Sequence, residues 1–152
     1  MNDKSTAKSR SVYVIYYAGC PITWSSELQT EIALSSTESE YICLSEALRT
    51  AIPLMRILDE LQRRNYPLPS TQSTINCTLF EDNDGAAELA KVPKMRPRTR
   101  HLNTKYHHFR EFVKQGRILI QRVDTLDQVA DVFTKPLPSD LFVKFRKLLL
   151  GW

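Results

Sequence analysis

The chain has 152 residues, 42% of them apolar and 25% charged, with 21 Lys and Arg against 17 Asp and Glu. This is the size and balance of one globular domain that buries enough surface to need neither a disulfide nor a structural metal. Three cysteines, odd in number and without a C-x-x-C pair, read as reduced intracellular thiols, and no apolar run of 18 residues or apolar core in residues 1–10 points to a membrane span or signal peptide.

Residues 1–10 are a polar, basic leader, and residues 11–150 carry the pattern of a folded domain. The β-branched and aromatic run at 11–18, the break at Gly19 to Pro21 and the short run at 22–25 predict a hairpin. Tyr41, Leu44, Leu48, Ile52, Met55 and Leu58 recur at three and four residues, as one buried helix face requires. That helix should start near Thr37, with a kink or break at Pro53. Residues 63–74 have loop composition, and 75–80 alternate as a strand ending at Glu81-Asp82. A short alanine-rich helix at 85–91 follows. Pro93 and Pro97 hold the next stretch out of regular structure, and Leu102, Tyr106, Phe109 and Val113 space a helix that Gly116 stops. Residues 117–123 supply another strand, Thr125 or Asp127 caps a helix through Phe133, and a final amphipathic helix runs from Ser139 to Leu150. The order β β α β α α β α α is that of an α/β layer fold.

Charge is concentrated in residues 91–122, where ten Lys and Arg stand against one acid, Glu111, with all three histidines and interleaved aromatics. A localised basic stretch on a near-neutral domain is the footprint of a polyanion partner, most often nucleic acid, or simply a solvated face. Three acids stand at the ends or starts of apolar elements: Glu40, Asp82 and Asp131. Each has a local alternative, Glu40 as the partner of a Thr37 capping box, Asp82 in an Asx turn, and Asp131 facing solvent from mid-helix. Taken together they resemble a carboxylate cluster, whose mutual repulsion is relieved when hard divalent cations bind.

The segments A-L-S-S-T-E-S-E-Y at 33–41, E-D-N at 81–83, R-T-R-H-L at 98–102 with Tyr106-His107, and Q-V-A-D-V-F-T-K-P at 128–136 keep a recognisable order and spacing. In these the chain resembles the ribonuclease H domain of copia-type retrotransposon Pol polyproteins. The resemblance implies an RNase H-like α/β fold, a five-stranded mixed sheet with flanking helices. It also implies hydrolysis of the RNA strand of RNA–DNA hybrids with two Mg2+ or Mn2+ ions, next to the reverse transcriptase domain of the same polyprotein, in cytoplasmic virus-like particles. Carried over by position, Glu40, Asp82 and Asp131 are the catalytic, metal-holding carboxylates, with Glu38 a competitor for Glu40. Ser36, Thr37, Arg98, Arg100, His101, Lys105 and Arg110 become hybrid contacts.

The family's first, central strand carries a further catalytic aspartate, and the resemblance begins after it. The expectation is therefore an impaired enzyme, in which the neighbouring strands either pair directly or leave a gap. A non-catalytic nucleic-acid-binding remnant is the alternative, and an integrase-like strand transferase is disfavoured by the A-D-V-F-T-K-P run.

Overall fold

The computed structural model describes residues 8–69, 74–91 and 104–152. Its longest element is helix α1 (Ser36–Arg63), whose buried residues Tyr41, Ile42, Leu44, Leu48, Ala51, Ile52 and Met55 form the predicted stripe. Burying side chains such as Leu48, Ile52 and Met55 is worth about 1.5–3 kcal/mol each. That stripe also explains why Pro53 does not break the helix, contrary to expectation. Pro53 lies on the exposed side, and its neighbours Ala51, Ile52 and Met55 are locked in the core. The helix ends on Asn65, whose left-handed φ of 59° lets Tyr66 N–H close on the Leu61 carbonyl at 3.1 Å.

The hairpin is as expected. Strands β1 (Arg10–Tyr17) and β2 (Cys20–Leu28) pair antiparallel across a two-residue turn, Ala18-Gly19, with both φ values positive at 51° and 80°. The register slips where Ile15 faces Thr23 and Tyr16 faces Pro21, which leaves Ile22 as the bulged residue. Gln29, buried just beyond β2, donates to Ser11 Oγ at 3.0 Å and to the Ser39 carbonyl at 2.8 Å, and Tyr13 meets Thr50 of α1 at 2.8 Å. These bonds dock the hairpin on α1.

Strand β3 (Cys77–Glu81) pairs in parallel with β4 (Ile118–Arg122). Between them run α2 (Asp84–Lys91), a 3-10 turn at Thr104–His107 and the short α3 (Arg110–Lys114). The single helix expected to end at Gly116 is therefore two pieces. Phe109, fully buried at the junction, ties both to the core with Tyr106. The Arg117 guanidinium joins β4 to α1 through Asp59 at 2.7 Å and to the Ile75 carbonyl, also at 2.7 Å. The chain closes with α4 (Ser139–Leu150) at the predicted bounds, ended by Gly151 at φ 79°.

The sheet departs from a single five-stranded one. Among the described residues the four strands form two separate two-stranded sheets, β1–β2 and β3–β4, with no ladder joining them. Of the two expectations, direct pairing of β1 with β3 is thus excluded here and a gap is present. Helix α1 packs against strands on both sides of it. At the β1 edge, Cys43 of α1 substitutes for a strand partner: its thiol accepts from Val12 N–H at 3.3 Å and donates to the Val12 carbonyl at 3.1 Å. The architecture is a mixed α/β fold of small sheets and helices.

Candidate active site

The start of α1 decides which glutamate is free. Ser35, not Thr37, is the N-cap: its hydroxyl accepts from Glu38 N–H at 3.1 Å, and the Glu38 carboxylate reaches back to Leu34 N–H at 2.9 Å. The cap therefore belongs to Ser35, with Glu38 reaching back one residue beyond it to Leu34, which corrects the Thr37–Glu40 alternative. Glu40 is left to point inward, half-buried. Burial first, and then the charges of Asp82 and Asp131, push its carboxyl above its ordinary value, while Lys135 acts in the opposite sense.

Asp82 follows β3 directly. The local alternative for Asp82 is an Asx turn; it is the next residue, Asn83, whose side chain bonds the backbone here, its Oδ1 accepting from Ala86 N–H at 3.0 Å as α2 starts. The Asp82 carbonyl accepts from Arg122, whose guanidinium also pairs with Asp84 at 2.9 Å. Helix α2 sits close against α1 because residue 85 is glycine: a Cβ there would lie 2.8 and 2.9 Å from Thr37 Oγ1 and Cγ2. This close approach brings the end of β3 to the first turns of α1.

Asp131 lies in no regular helix. The expected helix from Thr125 or Asp127 is two 3-10 turns, Thr125–Asp127, capped by Asp124, and Val129–Phe133. The second turn is closed by the T-K pair of A-D-V-F-T-K-P. The Asp131 carbonyl accepts from Thr134 N–H and Lys135 N–H, both at 3.0 Å, and from Thr134 Oγ1 at 3.2 Å. Lys135 Nζ then bonds Asp131 Oδ2 at 2.8 Å, where the Asp131 side chain is only 15% exposed. Burial pulls the Lys135 ammonium down, yet that bond and the charges of Asp131, Asp82 and Glu40 carry it above its ordinary value.

Glu40, Asp82 and Asp131 are thus brought into one electrostatic neighbourhood from α1, the end of β3 and a 3-10 turn, with Lys135 among them. Sequence reasoning missed a fourth acid, Glu81. It is buried, its Oε1 accepts from Asn83 N–H at 3.0 Å, and its carboxyl is pushed up to about 8 by burial first and then by Glu40 and Asp82, against the pull of the Asn83 bond. The signal was present, since the alternation Cys77, Leu79, Glu81 places it on the inward face of β3. Burial, with the Glu40 charge adding to it, likewise pushes the Cys43 thiol up to about 12.

The carboxylate oxygens are the hard donors that Mg2+ or Mn2+ takes, although among the described residues no group of three acids, His or Cys is arranged to hold a metal ion. Of the expected hybrid contacts, Arg98, Arg100 and His101 lie outside the described residues, as does the Lys105 side chain. Ser36 is exposed and Thr37 half-buried. Arg110 is half-buried and donates to the Leu89 carbonyl at 3.2 Å. Beside it, Tyr41 OH and His107 Nδ1 are 2.6 Å apart, and burial followed by the Arg110 charge holds the His107 imidazole below its ordinary value. No described helix is long and apolar enough to cross a membrane.

No family model and no solved structure matches the chain. Its sequence is 32% identical over 147 residues to the retrovirus-related Pol polyprotein from transposon TNT 1-94 of Nicotiana tabacum, covering 97% of this chain. It is 33% identical over 143 residues to that from transposon RE1 of Arabidopsis thaliana, covering 94%. The chain spans only 10% and 9% of these two relatives. A shorter stretch of 50 residues is 42% identical to the secreted RxLR effector protein 161 of Plasmopara viticola. The homologues that cover nearly the whole chain are thus retrovirus-related Pol polyproteins of transposons.

Proposed function

We propose that the chain is the ribonuclease H-like segment of a copia-type retrotransposon Pol polyprotein, and that its chemistry is hydrolysis of the RNA strand of an RNA–DNA hybrid. The observation that carries this reading is the convergence of Glu40, Asp82 and Asp131, from three separated motifs, on one partly desolvated neighbourhood. Two divalent cations, when bound, would stabilise the attacking water and the departing oxygen of an in-line displacement. The chain's part is to hold the oxygen donors. Asp131 is fixed through its carbonyl by Thr134 and Lys135, Asp82 by the strand end, and Glu40 by a helix whose cap uses Glu38 instead. The basic residues of 91–122 would gather the hybrid's phosphates, so binding should weaken steeply with salt, and the duplex would be read by shape and 2′-hydroxyls.

The test is cleavage of a labelled RNA–DNA hybrid with Mg2+ or Mn2+ by three proteins. These are the chain, its Asp82→Asn variant, and a form extended at the N-terminus by the family's first strand with its aspartate. Cleavage lost in Asp82→Asn supports the enzyme reading, and cleavage only in the extended form makes the chain an impaired ribonuclease H. Absence of cleavage from all three while the hybrid still binds favours the second reading, a non-catalytic nucleic-acid-binding remnant. The lack of a ready-made three-ligand metal group among the described residues is the observation on that side.

A further inference from the structure

The fully buried Tyr41 carries its hydroxyl to His107 Nδ1 at 2.6 Å, with the two ring centroids 5.6 Å apart and their planes tilted by 57°. On either side of His107 the chain is held in the core by Tyr106 and Phe109, and the Phe109 ring lies 5.9 Å from that of Tyr41. The other imidazole nitrogen, Nε2, is out of contact with solvent and has no hydrogen-bond partner among the described residues. The half-buried His107 is therefore joined to α1 by one polar contact. The titratable and charged groups around it are Tyr41 from α1, Arg110 at the start of α3, and the exposed His108, whose ring stands edge-on to Phe109 at 5.8 Å. Helix α2 brings the buried Leu89 and Ala90 to the same core, and the Leu89 carbonyl is taken by Arg110.

We propose that the Tyr41–His107 hydrogen bond is an acid-sensitive latch, which pins the 3-10 turn at Thr104–His107 to the second turn of α1 while the imidazole is neutral and releases it when the ring takes a second proton. A neutral imidazole offers one acceptor nitrogen. The phenol is the more acidic of the two groups, so its O–H donates to Nδ1 and the ring's own hydrogen sits on Nε2. The incoming proton then has one place to go, Nδ1, the atom the phenol occupies. Once Nδ1 bears a hydrogen, the Tyr41 hydroxyl gives up its acceptor inside the protein, where water does not replace it. The imidazolium is left beside the Arg110 guanidinium with its Nε2–H unpaired among the described residues. Burial first, and then the Arg110 charge, accordingly hold His107 below its ordinary value. The unfolded chain takes the proton at the usual imidazole value of about 6.5 and the folded chain takes it lower, so the latch is fully closed above that value and weakens as pH falls below it. The latch does not rest on the hydrolase reading.

The imidazole itself is the readout, because Glu81 and Glu40 tilt overall stability the other way over part of the same pH range. In nitrogen-edited NMR spectra of the full chain, His107 should carry its hydrogen on Nε2 at neutral pH and titrate below the exposed His108, and the Tyr41 ring signals should move with the same midpoint. Helix α3 follows the turn directly, so the Val113 amide, bonded to the Phe109 carbonyl at 3.2 Å, should lose exchange protection at that midpoint while Leu79 in the sheet keeps its own. Tyr41→Phe keeps the ring and removes the hydroxyl. His107 should then become roughly three- to tenfold easier to protonate, the worth of one hydrogen bond, with His108 unmoved. A His107 that bears its hydrogen on Nδ1, that titrates together with His108, or whose midpoint is the same in Tyr41→Phe would overturn the latch, and so would a titration that leaves Val113 protection intact. If Tyr41→Phe does not fold, the tautomer, the midpoint and the Val113 protection of the wild type decide the matter.

Discussion

Single side chains here are placed by backbone atoms as much as by other side chains. The carbonyl of Asp131 takes three hydrogen bonds from Thr134 and Lys135, which gives a physical content to the otherwise opaque T-K that follows it. Glu81 shows the same dependence and carries a pH prediction. Its carboxyl is pushed up to about 8 in the folded chain, and in the unfolded chain it titrates in the usual carboxylate range. Between those limits the folded state binds the extra proton, so stability is greatest on the acid side and falls as pH rises from about 5 to about 8. Glu40 is shifted in the same direction and adds to the fall. Urea unfolding across that window should show a declining stability whose slope is reduced in Glu81→Gln; a slope unchanged in the variant would remove Glu81 as its source. Glu40, Asp82 and Asp131 could be singled out from the sequence because each stands in a compact motif. Glu81 was passed over although the alternation Cys77, Leu79, Glu81 marks it, because Asp82 beside it drew the attention a lone acid would have received.

At the scale of elements, β3 and the long helix were legible because their burial follows a simple period, two for β3 and 3.6 for α1, whereas β1, whose burial does not alternate, was legible from its β-branched and aromatic composition. What the sequence hid were decisions between near-equal local alternatives. Ser35 and Thr37 both offer a cap three residues before a glutamate, and the cap fell to Ser35, which freed Glu40. The expected helices around 102–115 and 125–133 broke into 3-10 turns and a short α-helix, where few residues are fully buried to hold a longer one. The close approach of α1 and α2 is set by one glycine, and it yields a second prediction. Gly85→Ala gains helix propensity of up to about 1 kcal/mol. It also drives a methyl against both branches of the stiff Thr37 side chain, at 2.8 and 2.9 Å, so rotation cannot clear it. The net effect should be destabilising by about 1–2 kcal/mol, relieved in the double variant with Thr37→Ala; a neutral Gly85→Ala would show that α2 can slide. The hairpin turn offers the opposite sign. Ala18 holds a left-handed φ of 51° that alanine disfavours, and Ala18→Asn should raise stability by about 0.5–1 kcal/mol, read as a shift in the urea midpoint at constant slope.

For the whole molecule, the decisive fact is that the continuous core lies to one side. It joins α1 to α2, to Ile75, to Tyr106 and Phe109, and to Ile118 and Ile120 of β4, whereas from β1 only the half-buried Ile15 packs against it. The β1–β2 hairpin is therefore held mainly by Gln29, the Tyr13–Thr50 pair, the Cys43 bonds to Val12 and the Ser26 bond to the Phe133 carbonyl at 3.2 Å. A two-stranded hairpin is marginal by itself, and no ladder carries strain or protection across to β3–β4 among the described residues. The chain should then open in two steps of different cost, with the hairpin released at a lower free energy than the β3–β4 and α2 unit. Native-state amide exchange followed residue by residue distinguishes the cases. Amides in the β1–β2 ladder should exchange markedly faster than those of Leu79, Leu119 and Gln121, which donate across the β3–β4 ladder, and Tyr13→Phe should speed the hairpin alone. Equal protection in both sheets would mean that α1 transmits cooperativity across the gap. In the form extended by one further strand, the difference should disappear, because a strand bonded to both β1 and β3 would satisfy the two open edges at once and make one sheet of four strands and a guest.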